Sequence, residues 1–72
     1  MRYKIRHNGT CEFVSGIVPA WAREDGEGGG LVYFVDGWEN PKAMIWETLE
    51  DARIAEKEVW EIEQFDTTIE PV

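Results

Sequence analysis

Apolar residues change their spacing along this 72-residue chain, and each spacing is typical of one kind of secondary structure. Residues 2–7 alternate basic with apolar or aromatic side chains, and this period of two predicts a half-buried strand. Residues 31–35 form a continuous apolar run that predicts a central strand. Over residues 49–59 the spacing becomes three to four, which predicts a helix packed along one side. Alternation returns afterwards, so we predict a last strand over residues 60–69.

This order of elements predicts a single α+β domain over residues 1–72. We expect an antiparallel sheet of about four strands with one helix on one face, in the order β-β-β-(β)-α-β. The bracketed strand is short and covers residues 43–46, and the Gly-rich polar stretch at residues 23–30 is predicted to be a flexible loop. The chain has nine aromatic residues besides histidine, a content that favours a folded core over a disordered acidic chain.

The first two strands are predicted to form a hairpin, because Asn8-Gly9 follows the first alternating segment. A three-residue loop from His7 to Gly9 puts Gly9 at the left-handed position that such loops need. This loop length also places residues that interact favourably opposite each other on the two strands. The pairs that it forms are Tyr3 with Phe13, Lys4 with Glu12, and Ile5 with Cys11.

The helix is predicted to run from Leu49 to Glu58, with Thr48 and Asp51 forming a capping box at its start. A rotation of about 100° per residue separates a buried face from a solvent face. The predicted buried residues are Leu49, Ala52, Ala55 and Val59, and the predicted outward residues are Glu50, Ile54 and Glu58. Core packing is expected to account for most of the four Trp residues.

Carboxylates are crowded into the second half of the chain. The net charge is −8, of which residues 39–72 carry −7 and residues 1–38 carry −1. A field of one sign attracts basic surfaces and repels nucleic acid and anionic membranes, so we expect neither to bind directly. Solubility alone is the alternative explanation of this charge. The sequence has no signal peptide and no long apolar run, and the single cysteine fits a reducing compartment. We therefore expect a complete, cytoplasmic chain.

The acidic half is predicted to be a partner-binding surface. Ile54 is an apolar residue between two outward carboxylates, which is the composition of a binding hot spot. Trp38 stands beside a glycine and before a predicted turn, where it would be exposed and able to anchor a partner. The residues of the predicted surface are Trp38, Glu47, Glu50, Asp51, Ile54, Glu58 and Glu61.

No residue combination predicts catalysis, a cofactor or a metal site. His7 and Cys11 would lie near each other at the hairpin tip, but no third group is placed to orient them as a nucleophile and its base. One His and one Cys are too few for a structural zinc site. Glu56 lies close to the buried side of the predicted helix, yet carboxylate chemistry needs a second carboxyl across a cleft. We therefore expect a non-enzymatic protein with no cofactor.

The layout resembles small acidic accessory proteins of phages and prophages. The resemblance rests on a Tyr/Ile-rich opening hairpin, then Trp-Glu-Asn-Pro-Lys-Ala at residues 38–43 and Thr-Leu-Glu-Asp-Ala-Arg at residues 48–53. This class includes anti-CRISPR proteins and other inhibitors that imitate the charge of DNA. The resemblance implies an inhibitor that docks its acidic surface on a basic, nucleic-acid-binding site of a larger host protein. The alternative is a homo-oligomeric assembly protein, for which a homodimer is the simplest form.

Overall fold

Four strands and one helix make up the part of the chain that the computed structural model describes, residues 1–22 and 29–72. Most of the predicted loop at residues 23–30 lies outside that part. The elements are β1 (Tyr3–His7), β2 (Phe13–Val18), a single 3-10 turn (Ala20–Ala22), β3 (Leu31–Val35), α1 (Leu49–Glu63) and β4 (Thr67–Pro71). All strand pairs are antiparallel, in the sheet order β3-β2-β1-β4. The predicted α+β fold with one helix and four strands is confirmed.

The two faces of the sheet bury different kinds of side chain. Because neighbouring residues of a strand point to opposite faces, Ile5 and Val14 face α1 while Lys4 and Phe13 face away from it. Ile5 and Val14 are both 0% exposed and pack with Ala55 and Val59 of the helix. The core therefore lies between α1 and one face of the sheet. The small side chain of Ala55 lets the helix approach this face closely.

The register of the first hairpin differs from the prediction. Arg6 pairs with Phe13, and His7 donates its backbone N–H to the carbonyl of Glu12 across a longer loop. Cys11, with a φ of 61°, takes the left-handed conformation that was predicted for Gly9. Gly9 instead donates its N–H to Nδ1 of His7. The predicted pairs Tyr3–Phe13, Lys4–Glu12 and Ile5–Cys11 are therefore wrong, because a loop of four residues replaces the predicted three.

Residues 44–46 lie between β1 and β2 and do not form the predicted strand at residues 43–46. Met44 donates its N–H to the carbonyl of Val14 in β2, whereas Trp46 exchanges two backbone hydrogen bonds of 2.9 Å with Tyr3 in β1. The pairing of β2 with β3 shifts register between Val14 and Gly16, which marks a β-bulge. A bulge bends its strand, and the segment at residues 44–46 fills the space between β1 and β2.

The helix begins as predicted and ends five residues later than predicted. Thr48 caps it, because its hydroxyl oxygen accepts a hydrogen bond of 3.1 Å from the N–H of Asp51. The alternation at residues 60–63 is helical in the structure, since half-buried Ile62 lies three positions after buried Val59 and extends the same face. Gln64, with a φ of 57°, ends α1 in the left-handed conformation. The last strand is therefore shorter than the predicted residues 60–69 and starts at Thr67.

A second, smaller cluster covers part of the face of the sheet that points away from α1. The rings of Phe13 and Trp38 meet edge to face with centroids 5.3 Å apart. Lys4 is 6% exposed, and its ammonium nitrogen lies 4.9 Å from the centre of the Trp38 ring and donates to the Trp38 carbonyl. The Nε of Arg6 is 3.2 Å from a carboxylate oxygen of Glu70. The basic residues of β1 are therefore engaged within the fold.

Candidate partner-binding surface

Two adjoining grooves run along one flank of α1. The first has a volume of about 370 Å³ and the second about 430 Å³, and Glu58 lines both of them. We call Asp51, Ile54, Glu58 and Glu61 the acidic flank, because each of them lines at least one of these grooves. The first groove is completed by Ile17, Met44, Trp46 and Ala55, and the second by Pro19, Ala20, Trp21, Gly29, Gly30 and Ile62.

Helical spacing explains why these four side chains share one flank. Ile54 follows Asp51 by three positions, Glu58 follows Ile54 by four, and Glu61 follows Glu58 by three. Such steps return a side chain to the same side of a helix. The extension of α1 beyond the predicted end at Glu58 is what brings Glu61 onto this flank.

Both grooves carry negative charge. Their ionisable lining residues are Asp51, Glu58 and Glu61, and all three are exposed. Among the described residues, no Lys or Arg lines either groove. Carboxylates on the wall of a concave surface raise the local concentration of cationic groups. The flank is therefore suited to a basic ligand surface.

Ile54 is the apolar centre of the flank. It is 54% exposed, and it lines the first groove between Asp51 and Glu58. The segment at residues 44–46 forms the opposite wall of that groove through Met44 and Trp46, which are both half-buried. Apolar surface ringed by charge is typical of binding hot spots, because the rim excludes water from the central contact.

The opposite flank of α1 has mixed charge. Arg53 and Lys57 line a groove of about 320 Å³ together with exposed Trp60 and the carboxylate side chains of Glu56 and Asp66. Among the described residues, two cations and two carboxylates line this groove, so neither sign of charge dominates it. The carboxylate of Glu56 accepts a hydrogen bond of 3.1 Å from the hydroxyl group of Thr67, which ties the helix to β4. The Glu56 carboxylate therefore has a structural role in the fold.

The remaining residues of the predicted surface line neither groove of the acidic flank. Glu50 lines an open depression of about 520 Å³ on the outer side of α1, which it shares with Arg53, Lys57 and Ile54. Glu47 is exposed ahead of the helix and lines neither groove of the acidic flank. Trp38 is 39% exposed but packs on the face of the sheet that points away from α1. One flat partner surface therefore cannot contact Trp38 and Ile54 together.

Trp21 lines the second groove, although it was not distinguished in the sequence from the Trp residues predicted to lie in the core. It is 87% exposed, more than Trp60 at 55% or Trp38 at 39%, so the prediction that most of the Trp residues pack in the core is wrong. Trp21 lies in the 3-10 turn after Pro19, outside any strand whose pairing would bury it. A proline at the end of a strand, followed by a polar Gly-rich stretch, is the signal that could have found it.

His7 is used in the fold. Its Nδ1 accepts hydrogen bonds from the N–H groups of Gly9 and Thr10, and its ring contacts Phe34 and Phe65 with centroids 5.2 and 4.5 Å away. These contacts hold the hairpin loop against the core. Within residues 1–22 and 29–72, no three His, Cys, Asp or Glu side chains are grouped so that they could hold a metal ion.

Comparisons of the chain with protein-family models, with curated proteins and with solved structures found no match. In the described part of the chain, no helix has the length and apolar character that crossing a membrane requires.

Proposed function

We propose that this protein is a non-enzymatic binding module that docks the acidic flank of α1 on a basic, nucleic-acid-binding surface of a larger protein. One observation carries the proposal: three carboxylates line two adjoining grooves, the exposed Ile54 lies between two of them in the first groove, and no cation from the described residues lines either groove. Long-range attraction would speed encounter, and the apolar contact at Ile54 would slow dissociation. An inhibitor of phage origin, the class that the sequence layout resembles, would act in this way.

The spacing of the carboxylates decides how far the flank can imitate DNA. Asp51 and Glu61 are ten residues apart, which is about 15 Å along a helix that rises about 1.5 Å per residue. Three charges over that length are much sparser than duplex DNA, which carries one charge per about 1.7 Å. Charge alone would therefore give weak binding, and the proposal requires the apolar contact of Ile54.

The test is affinity capture with matched charge variants. Immobilised wild-type protein is exposed to a bacterial lysate at about 0.01 M salt, where the Debye length is about 30 Å, and then washed at about 1 M salt, where it is about 3 Å. We expect a nucleic-acid-handling protein to be retained and then released. The Glu58→Lys/Glu61→Lys variant should bind it at least 100-fold more weakly, because each reversal places like charges together.

The control is Glu39→Lys/Glu63→Lys, which changes the net charge from −8 to −4 like the test variant. Glu39 and Glu63 are exposed and line neither groove of the acidic flank. Retention by the control and loss by the test variant would support docking through the flank. Equal loss by both would show that only net charge matters. Retention of no protein by the wild type would contradict the proposed function.

Self-association is a second candidate function, and the exposed Trp60 favours it. Trp60 is 55% exposed and lines the mixed-charge groove with half-buried Phe65, so a second copy could cover both rings. Small domains often gain stability by forming oligomers. Sedimentation velocity at micromolar concentration should then show a dimer that Trp60→Ala converts to a monomer. A wild-type protein that sediments as a monomer rules this function out.

A further inference from the structure

We propose that the second groove, between the 3-10 turn (Ala20–Ala22) and the C-terminal half of α1, is a pocket for an arginine side chain of a basic partner. This inference rests on the proposed function and names the group that the acidic flank would recognise. It is carried by three features that meet in one groove of about 430 Å³: the exposed ring of Trp21, the carboxylates of Glu58 and Glu61, and an apolar wall from Ile62.

Each wall of the pocket matches one part of an arginine side chain. A guanidinium group stacks on an indole ring and is attracted to its electron-rich face. The same planar group bonds to carboxylates with two parallel N–H donors, and Glu58 and Glu61 supply two carboxylates one helical turn apart. The methylene stem of the side chain would pack on Ile62 and Pro19, which are half-buried.

The apolar wall is held in place by a close approach of the main chain to the helix. Gly30 is buried, and a Cβ added to it would come within 2.4 Å of the Val18 carbonyl oxygen and 3.0 Å of the Cδ1 atom of Ile62. Only glycine fits this position without displacing backbone. The chain that leads into β3 therefore fixes the position of Ile62 beside the groove.

The ring of Trp21 is accessible to a ligand. With 87% of its surface exposed, the ring makes few contacts within the described fold, so stacking on it would not require the core to open. Ordering an exposed Trp costs little conformational entropy, since it has only two side-chain torsions. An exposed aromatic ring beside two carboxylates is thus suited to a planar cation, and less suited to an anion or to an uncharged aromatic group.

The inference is tested by titrating the full-length protein with a short oligoarginine peptide. The indole N–H resonance of Trp21, identified by its loss in Trp21→Ala, is followed by NMR. We expect it to shift more than that of Trp60, and we expect a peptide with citrulline in place of arginine to cause no shift. Trp21→Ala should weaken arginine-peptide binding about threefold to tenfold. Trp60→Ala, an exposed Trp outside the groove, should leave it unchanged.

The proposed arginine pocket would be contradicted if Trp21→Ala and wild type bound the peptide with equal affinity. It would also be contradicted if the citrulline peptide shifted the Trp21 indole resonance as much as the arginine peptide does. The proposed function is tested separately through Ile54→Ala, because Ile54 lines the first groove and not the second. Capture that depends on Ile54 but not on Trp21 would leave the proposed function standing without the pocket. Peptide binding that depends on Trp21, together with no captured protein, would support the pocket and contradict the proposed function.

Discussion

Ile5 and Ile54 are the same side chain in opposite surroundings. Ile5 is 0% exposed and packs between α1 and the sheet, whereas Ile54 is 54% exposed on the acidic flank. Burial of a large aliphatic side chain contributes about 1.5–3 kcal/mol to folding, and a domain of this size has only about 3–5 kcal/mol in total. The contribution of Ile5 is thus a large share of the stability, while Ile54 is available for binding.

We predict that Ile5→Ala destabilises the protein by about 2–5 kcal/mol, because it leaves a cavity in the core. Since this loss is comparable to the whole stability, much of the variant should be unfolded at 25 °C. Ile54→Ala is the matched control and should change the free energy of unfolding by less than about 0.5 kcal/mol. Urea denaturation followed by circular dichroism measures both. A larger effect at Ile54 than at Ile5 would contradict the assignment of the core.

At the scale of elements, the start of α1 depends on a single side chain. The hydroxyl oxygen of Thr48 accepts the N–H of Asp51, and two carboxylates in the first turn, from Glu50 and Asp51, complement the helix dipole. We predict that Thr48→Ala lowers the free energy of unfolding by about 1 kcal/mol. Thr48→Ser keeps the acceptor and should lose much less. Equal losses in thermal denaturation would show that the cap does not stabilise the helix.

The local features of the fold could be predicted from the sequence. Thr48 and Asp51 form the predicted cap, and Ala52, Ala55 and Val59 form the predicted buried face, because caps and helical faces depend on residues only a few positions apart. Leu49 was also predicted to be buried and is 37% exposed, since it lies in the first turn at the margin of that face.

The long-range features could not be predicted in this way. The hairpin register depends on Cys11 adopting a left-handed conformation in place of Gly9, and the segment at residues 44–46 depends on backbone partners about 30 and 43 positions away. Of the site, helical spacing placed Ile54 and Glu58 together on one outward face with Glu50. In the first groove the third member is Asp51 instead of Glu50. Helical spacing could not show that Trp38 lies on another face of the molecule or that Trp21 lines the second groove. The positions of both Trp residues depend on how elements distant in sequence pack together.

At the scale of the whole molecule, charge is distributed by face as well as by chain half. Lys4 and Arg6 of β1 are engaged with Trp38 and Glu70. The cations of α1, Arg53 and Lys57, line neither groove of the acidic flank, although both share a depression with Ile54. The two grooves thus present carboxylates to solvent, while these four positive groups are used within the fold or placed beside other acids. This separation of charge favours a partner with a basic surface over a partner whose surface is acidic or apolar.

The most direct measurement is competition between this protein and nucleic acid for the captured partner. Fluorescence anisotropy of labelled duplex DNA bound to that partner is followed as unlabelled protein is added. We predict that wild-type protein displaces the duplex, and that Glu58→Lys/Glu61→Lys displaces it only at concentrations at least 100-fold higher. A duplex that stays bound while the wild-type protein also binds the partner would contradict the claim that the acidic flank occupies a nucleic-acid-binding surface.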